Sequence, residues 1–179
     1  MEWAAAMAEL ALIRDMVAAG EWWRLWTGHL VHTGAGHLGW NLAALIILGL
    51  AACRTGLVWT AFIYLLLSMP LISGGLLLLL PELQWYAGLS GVLHGLAALI
   101  LVARPSPIAW LGLGLLAAKL MLEAAGAWPV PDGRYPVVTE AHALGFVFGL
   151  VAGLSHIHFS RRVGGGGVVA VGSECFQPR

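Results

Sequence analysis

Long apolar runs, each stopped by an arginine or a proline, set the pattern of this chain. A helix that crosses a bilayer needs about 20 predominantly apolar residues at about 1.5 Å of rise each. Residues 37–53, 57–80, 90–103, 108–125 and 137–158 reach or approach that length. Pro70 falls inside the second run and predicts a kink, because proline withdraws one amide from the helical ladder. Arg54, Arg104 and the pair Arg161 and Arg162 close the first, third and fifth runs. Between the second and third runs, residues 81–89 are too irregular to face lipid. Non-helical backbone at membrane depth is tolerated only where it is buried in protein or lines a cavity.

The expected fold is therefore an all-α membrane protein, a polytopic bundle with five clear spans. The organisation predicted is an N-terminal segment over residues 1–20, a membrane domain over 21–160 and a flexible Gly-rich tail over 161–179. Gly164 to Gly167 act as its spacer.

Composition sharpens this. The 179 residues are 60% hydrophobic and 10% charged, where a soluble domain carries roughly a quarter charged residues. Nine Trp against three Tyr suit a chain with many headgroup-level positions. A formal net charge of zero gives nucleic acid nothing to bind. Cys53 and Cys175 carry no disulfide motif and are read as thiols. The apolar stretch over residues 3–12 is interrupted by Glu9 and followed by Arg14 and Asp15, unlike a signal peptide.

Charge placement sets an orientation. Alternating topology puts Arg54, Arg104, Arg161 and Arg162 on one side, and Glu82, Asp132, Arg134 and Glu140 on the other. The first side is cytoplasmic by the positive-inside rule, so spans one, three and five all run inward. Counting back from Arg104, Ser90 lies about 21 Å above the inner boundary, hence roughly 10 Å below the outer surface. Asn41 reaches a similar depth counted from Arg54, and His142 lies roughly 8 Å into its span. Three polar residues from three co-directional spans share one layer.

That layer has the makings of a hydrolytic site. A serine hydroxyl is a weak nucleophile until a neighbouring base takes its proton, and neutral imidazole suits that task. Ser90 alone reads first as a small residue packing two helices; His142, an ionisable group inside a span, shifts the balance toward function. Glu140 is two residues from His142 and on another face. No Asp or Glu is expected at matching depth on the other spans to complete a triad, so a Ser–His dyad is expected. His37 and Asn41 are spaced i, i+4 on one face, and with the Ser90 amide they could hold an oxyanion. Gly145, Gly149 and Gly153 on the fifth span and Gly91 and Gly95 on the third form small-residue faces that allow close approach. Lys119 and Glu123 are also spaced i, i+4, in the outer half of the fourth span.

These residues resemble the rhomboid proteases over about residues 21–153. The carrying features are Trp23-Arg24 with His32, His37 and Asn41, then Gly88-Leu89-Ser90-Gly91, then Ala141-His142 with Gly145 and Gly149. The resemblance implies a serine endopeptidase acting within the membrane, with Ser90 and His142 catalytic and His37, Asn41 and Ser90 forming the oxyanion hole. It implies supporting roles for His32, Gly88, Gly91, His94 and Gly145, and it requires neither cofactor nor metal. Arg24 would belong to an external loop, and a substrate gate would lie near the fourth span with Lys119 and Glu123.

The chain is most similar to the rhombosortase branch, through Glu21-Trp22-Trp23-Arg24-Leu25, Gly28-His29-Leu30-Val31-His32 and Ser90-Gly-Val-Leu-His94-Gly95. That branch implies a bacterial inner-membrane enzyme opening to the periplasmic or extracellular side. Its substrates would be membrane-anchored proteins with a C-terminal Gly-Gly motif, a hydrophobic helix and basic residues. Two departures stand out. His94 occupies the place where many rhomboids stack an aromatic ring on the catalytic histidine; it could stack on His142 or sit as a neutral core histidine. The first of the family's six spans is missing or vestigial, which a misplaced start site would explain. The rival readings are a catalytically inactive rhomboid-like binding protein and a membrane haem or metal protein built on some of the seven histidines. A transporter is disfavoured because no inverted repeat is visible.

Overall fold

A computed structural model describes residues 7–128 and 137–164, with side chains to residue 162. Asp132, Arg134, Cys175 and the tail beyond Gly164 lie outside the described residues. Helices α3 (Ala35–Arg54), α4 (Val58–Leu79), α6 (Pro107–Ala124) and α7 (Thr139–Gly164) are each long and apolar enough to cross a membrane. Helix α5 (Ser90–Ala103) is shorter, at 14 residues. These match the five apolar runs to within a few residues, except that α7 continues past His158 through Arg161 and Arg162. α4 stays helical through Pro70.

α5 is the centre of the bundle. Its residues from Gly91 to Ala103 are mostly buried, whereas α6 leaves Ile108, Trp110, Leu111 and Met121 exposed. An apolar exterior around a buried short helix is the arrangement lipid favours. α5 and α7 pack most closely, and glycine is the reason. A Cβ on Gly145 would collide with the Gly91 carbonyl, one on Gly149 with the Gly95 carbonyl, and one on Gly153 would come within 2.9 Å of the Leu99 carbonyl. The paired glycine faces expected from the sequence interlock backbone to backbone. The Tyr64 hydroxyl of α4 donates to the Gly145 carbonyl at 3.0 Å, tying a third helix to this contact. At the opposite end from Ser90, Arg104 donates to the Thr55 carbonyl at 2.9 and 2.7 Å, joining the turn after α3 to the end of α5.

The N-terminal segment departs from a spanning element. Residues 12–18 form strand β1 (Leu12–Ile13) and the short helix α1 (Arg14–Ala18). β1 pairs antiparallel with β2 (Trp85–Tyr86), inside the stretch ahead of Ser90 that was expected to be irregular. Arg14 donates to the carbonyls of Leu83, Leu77 and Leu80, satisfying the end of α4 where helical carbonyls lack partners. The following helix α2 (Arg24–Thr27) carries Arg24, which is buried. It pairs with Glu21 at 2.5 Å and donates to the Ala11 and Ala8 carbonyls. Arg14 thus anchors this segment to the end of α4 and the loop that leads to Ser90, while Arg24 holds the segment itself together.

Candidate active site

Ser90 opens α5, and the turn before it is built to hold it there. Gly88 has φ +131°, a left-handed conformation that glycine alone adopts at low cost, and a Cβ there would meet the His37 ring at 2.9 Å. Tyr86, buried, donates its hydroxyl to the Gly88 carbonyl at 2.6 Å. Burial pushes its phenol well above the ordinary range, so it stays a donor. The Gly88 amide donates to the Gly28 carbonyl at 3.0 Å.

His29, fully buried, braces the same turn. Its Nε2 lies 2.9 Å from the Met69 carbonyl and 3.0 Å from Ser73 Oγ, with Nδ1 3.3 Å from the Gly88 carbonyl. Burial lowers its pKa to about 4 against the opposing pull of those two carbonyls. The ring is therefore neutral, with a single N–H to donate, and it packs edge-on against Tyr86 at 5.2 Å. An unfolded chain would protonate this histidine near pH 6.5, while the folded one resists down to about pH 4. In that window the unfolded state binds more protons, so stability is complete above about pH 6.5 and falls as pH drops. Comparing thermal unfolding at pH 7 and pH 5 for the wild type and His29→Gln checks this. The wild type should lose more on acidification, by up to about 2 kcal/mol; equal losses would contradict it.

Across the helix interface, His142 Nε2 lies 2.8 Å from Ser90 Oγ. Ser90 is partly exposed and His142 is buried. Two spans 52 residues apart in sequence bring a hydroxyl and an imidazole into hydrogen-bonding contact. His94 stacks on His142, with centroids 4.1 Å apart and planes 17° apart, and His94 Nδ1 lies 2.7 Å from the Ser90 carbonyl. Of the two places open to His94, the stack is the one the structure has.

The layer is not free of acid, and here the sequence expectation is corrected. Glu123 of α6 places Oε2 2.9 Å from His142 Nδ1, and its side chain is only 6% exposed. Lys119 Nζ lies 2.5 Å from Glu123 Oε1 and 2.6 Å from His94 Nε2, with the Trp128 ring 5.9 Å away. The i, i+4 spacing suggested a weakly favourable pair near a substrate gate; the signal that could have found the contact is an ionisable pair near the end of a span beside an ionisable partner. Tyr86 and His29 were also missed as supports, since nothing in their local sequence says which loop they touch.

The expected oxyanion donors sit on the α3 face beside this turn. Asn41 is buried, and its Nδ2 has no hydrogen-bond partner among the described residues. A buried amide donor without an acceptor is costly, unless an oxyanion arrives to take it. His37 Nδ1 lies 3.1 Å from Thr33 Oγ1, and its other edge abuts Gly88. The Ser90 amide belongs to the first turn of α5, where amides have no intrahelical acceptor. His32 is buried, stacks edge-on against His37 at 4.9 Å, and meets the Leu30 carbonyl through Nδ1 at 3.2 Å. Burial and the neighbouring His37 lower its pKa, consistent with a neutral structural role.

His94, Glu123 and His142 offer three ligand atoms within 4.8 Å of one another, close enough to hold a metal ion. Lys119 puts its ammonium against two of the three, so a tethered cation already fills that position. A separate apolar cavity of about 440 Å³ between α4 and α7 is lined by Tyr64, Phe148 and His156 and touches neither Ser90 nor His142.

Comparison with known proteins bears on the whole arrangement. A Rhomboid domain profile matches residues 19–159, most of the chain. RHOMBOID-like protein 9, chloroplastic, from Arabidopsis thaliana is 42% identical over 57 residues. That alignment covers 31% of this chain and 13% of the plant protein.

Proposed function

The chain belongs to the rhomboid family, and from that premise we propose that it is an intramembrane serine endopeptidase with Ser90 as nucleophile and His142 as general base. The observation that carries this reading is the 2.8 Å contact between Ser90 Oγ and His142 Nε2. The protein is a multi-pass membrane protein, and rhomboid proteases act on membrane proteins within the bilayer.

The chemistry proceeds in two halves. Ser90 Oγ bonds to the scissile carbonyl carbon as its proton passes to His142 Nε2 and the carbonyl electrons move onto oxygen. The oxyanion is held by donors from Asn41, His37 and the Ser90 amide. The tetrahedral species collapses, the C–N bond breaks, and His142 returns the proton to the leaving amine. Water then attacks the acyl-enzyme, giving its proton to His142, and Ser90 Oγ leaves with that proton restored.

The substrates proposed are membrane-anchored proteins ending in a Gly-Gly motif, a hydrophobic helix and basic residues, on the likeness of residues 21–32 and 90–95 to rhombosortases. The site would open to the periplasmic or extracellular side of a bacterial inner membrane. Arg54 and Arg104 lie at the end of the bundle joined by the Arg104–Thr55 contact, remote from Ser90 along α5, and the positive-inside rule makes that end cytoplasmic.

Reaction of the purified protein with a fluorophosphonate tests the reading. Labelling that disappears in Ser90→Ala is expected. A wild type that neither labels nor trims a co-expressed Gly-Gly-tailed substrate would instead make the chain an inactive rhomboid-like binding protein.

A further inference from the structure

Resting on that reading, we infer that Glu123 completes a Ser90–His142–Glu123 triad, with Lys119 as a positioning residue that decides which end of the carboxylate faces the histidine. The dyad expected from the sequence is then incomplete.

The argument is one of proton accounting. The Ser90 carbonyl can only accept, so His94 Nδ1, 2.7 Å away, must carry the hydrogen. In neutral His94 the other ring nitrogen, Nε2, is then an acceptor. Lys119 Nζ, 2.6 Å from it, can only donate. The same ammonium donates to Glu123 Oε1. Glu123 Oε2 is left as an acceptor 2.9 Å from His142 Nδ1, which must therefore be N–H. A lone pair at Nδ1 would face a carboxylate oxygen at that distance and repel it. Lys119 also lies 3.5 Å from Nδ1, a contact with no hydrogen to share once Nδ1 donates to Glu123. With Nδ1 protonated, His142 Nε2 holds the lone pair that receives the Ser90 hydroxyl proton. Each hydrogen bond along this path has one possible direction, and the network closes on Ser90 at both ends.

Two consequences follow for catalysis. The carboxylate keeps the imidazole in the tautomer that can act as base, and it stabilises the imidazolium formed when Ser90 attacks. Because Glu123 is nearly excluded from solvent, its attraction for that imidazolium is weakly screened. Lys119 opposes the imidazolium charge; its contribution is to hold Oε1 and thereby present Oε2.

Glutamine at position 123 exposes this logic. Lys119 would claim the amide oxygen, turning the amide NH2 toward His142 Nδ1. The ring would then carry its hydrogen on Nε2 and lose its base function. The expected fluorophosphonate labelling rate for Glu123→Gln is about 10³-fold below wild type. Glu123→Ala, which forces no tautomer, should fall about 10²-fold. A residue that only supported the fold would give the reverse order, since glutamine is the closer isostere. Adding Lys119→Met to Glu123→Gln frees the amide to present its oxygen, so this double variant should label faster than Glu123→Gln alone. Glu123→Gln labelling as fast as or faster than either of the other two, in variants whose thermal unfolding matches wild type, overturns the inference. Nitrogen-15 NMR of the wild-type histidine ring provides a variant-free check: hydrogen on Nδ1 of His142 is expected, and hydrogen on Nε2 would equally overturn it. Failure of the wild type to label at all counts against the protease reading instead.

Discussion

Alanine at Ser90 and alanine at His142 are each expected to lower kcat/KM for a membrane-anchored substrate by about 10⁴–10⁶-fold, and the double variant to fall no further. The two groups act as one unit: a hydroxyl without its base is scarcely a nucleophile, and a base without the hydroxyl has nothing to activate. Their 2.8 Å contact makes the coupling direct. The floor reached should stay above the uncatalysed rate, because Asn41 and the first-turn amide of α5 would still bind a developing oxyanion. Steady-state cleavage in detergent, with all three variants assayed beside wild type, is the measurement. Losses that multiply, or a Ser90→Ala protein that retains most of its activity, would contradict the mechanism.

The second large effect is structural. Gly145→Leu or Gly149→Leu is expected to prevent the native packing of α7 on α5, giving protein that unfolds well below the wild-type temperature and does not label. Even a Cβ at these positions collides with the backbone carbonyl of Gly91 or Gly95. Backbone cannot rotate away as a side chain can, so the helices must separate. Overpacking a core usually costs about 1–3 kcal/mol, and a collision between two main chains belongs at or beyond the top of that range. Separation also carries His142, three residues before Gly145, away from Ser90. Gly49→Ala and Gly114→Ala are the controls: a Cβ at either site meets nothing within 4 Å. Thermal unfolding in detergent compares the four. Leucine variants as stable as the alanine controls would remove the glycine interface from the account.

Most of the helical scaffold is legible in the sequence because lipid imposes a strong rule. Backbone polar groups must be satisfied within each span, so apolar runs of sufficient length become helices whatever surrounds them. Ser90, His142, His37 and Asn41 stand out for a related reason, being polar groups where polarity is expensive. The glycine faces are legible too, since close helix approach in lipid needs small residues at fixed spacing. Less legible was the chain outside the spans. The pairing of Leu12 with Tyr86 joins segments more than 70 residues apart, and no local pattern announces a two-residue ladder. Arg14 and Arg24 read as loop charges, yet the first is spent on the end of α4 and the second on residues 8–21.

The sequence by itself determined where the spans lie, which of them carry polar chemistry, and which faces can meet closely, because each follows from the cost of burying particular groups in lipid. Only the tertiary structure decided that Glu123 meets His142, that Lys119 bridges Glu123 and His94, and that Tyr86 and His29 clamp the turn before Ser90. Those contacts depend on how far each helix is rotated and translated against its neighbours. Rotation and translation are set by the packing of all the helices together, and a spacing read along one helix carries no information about them.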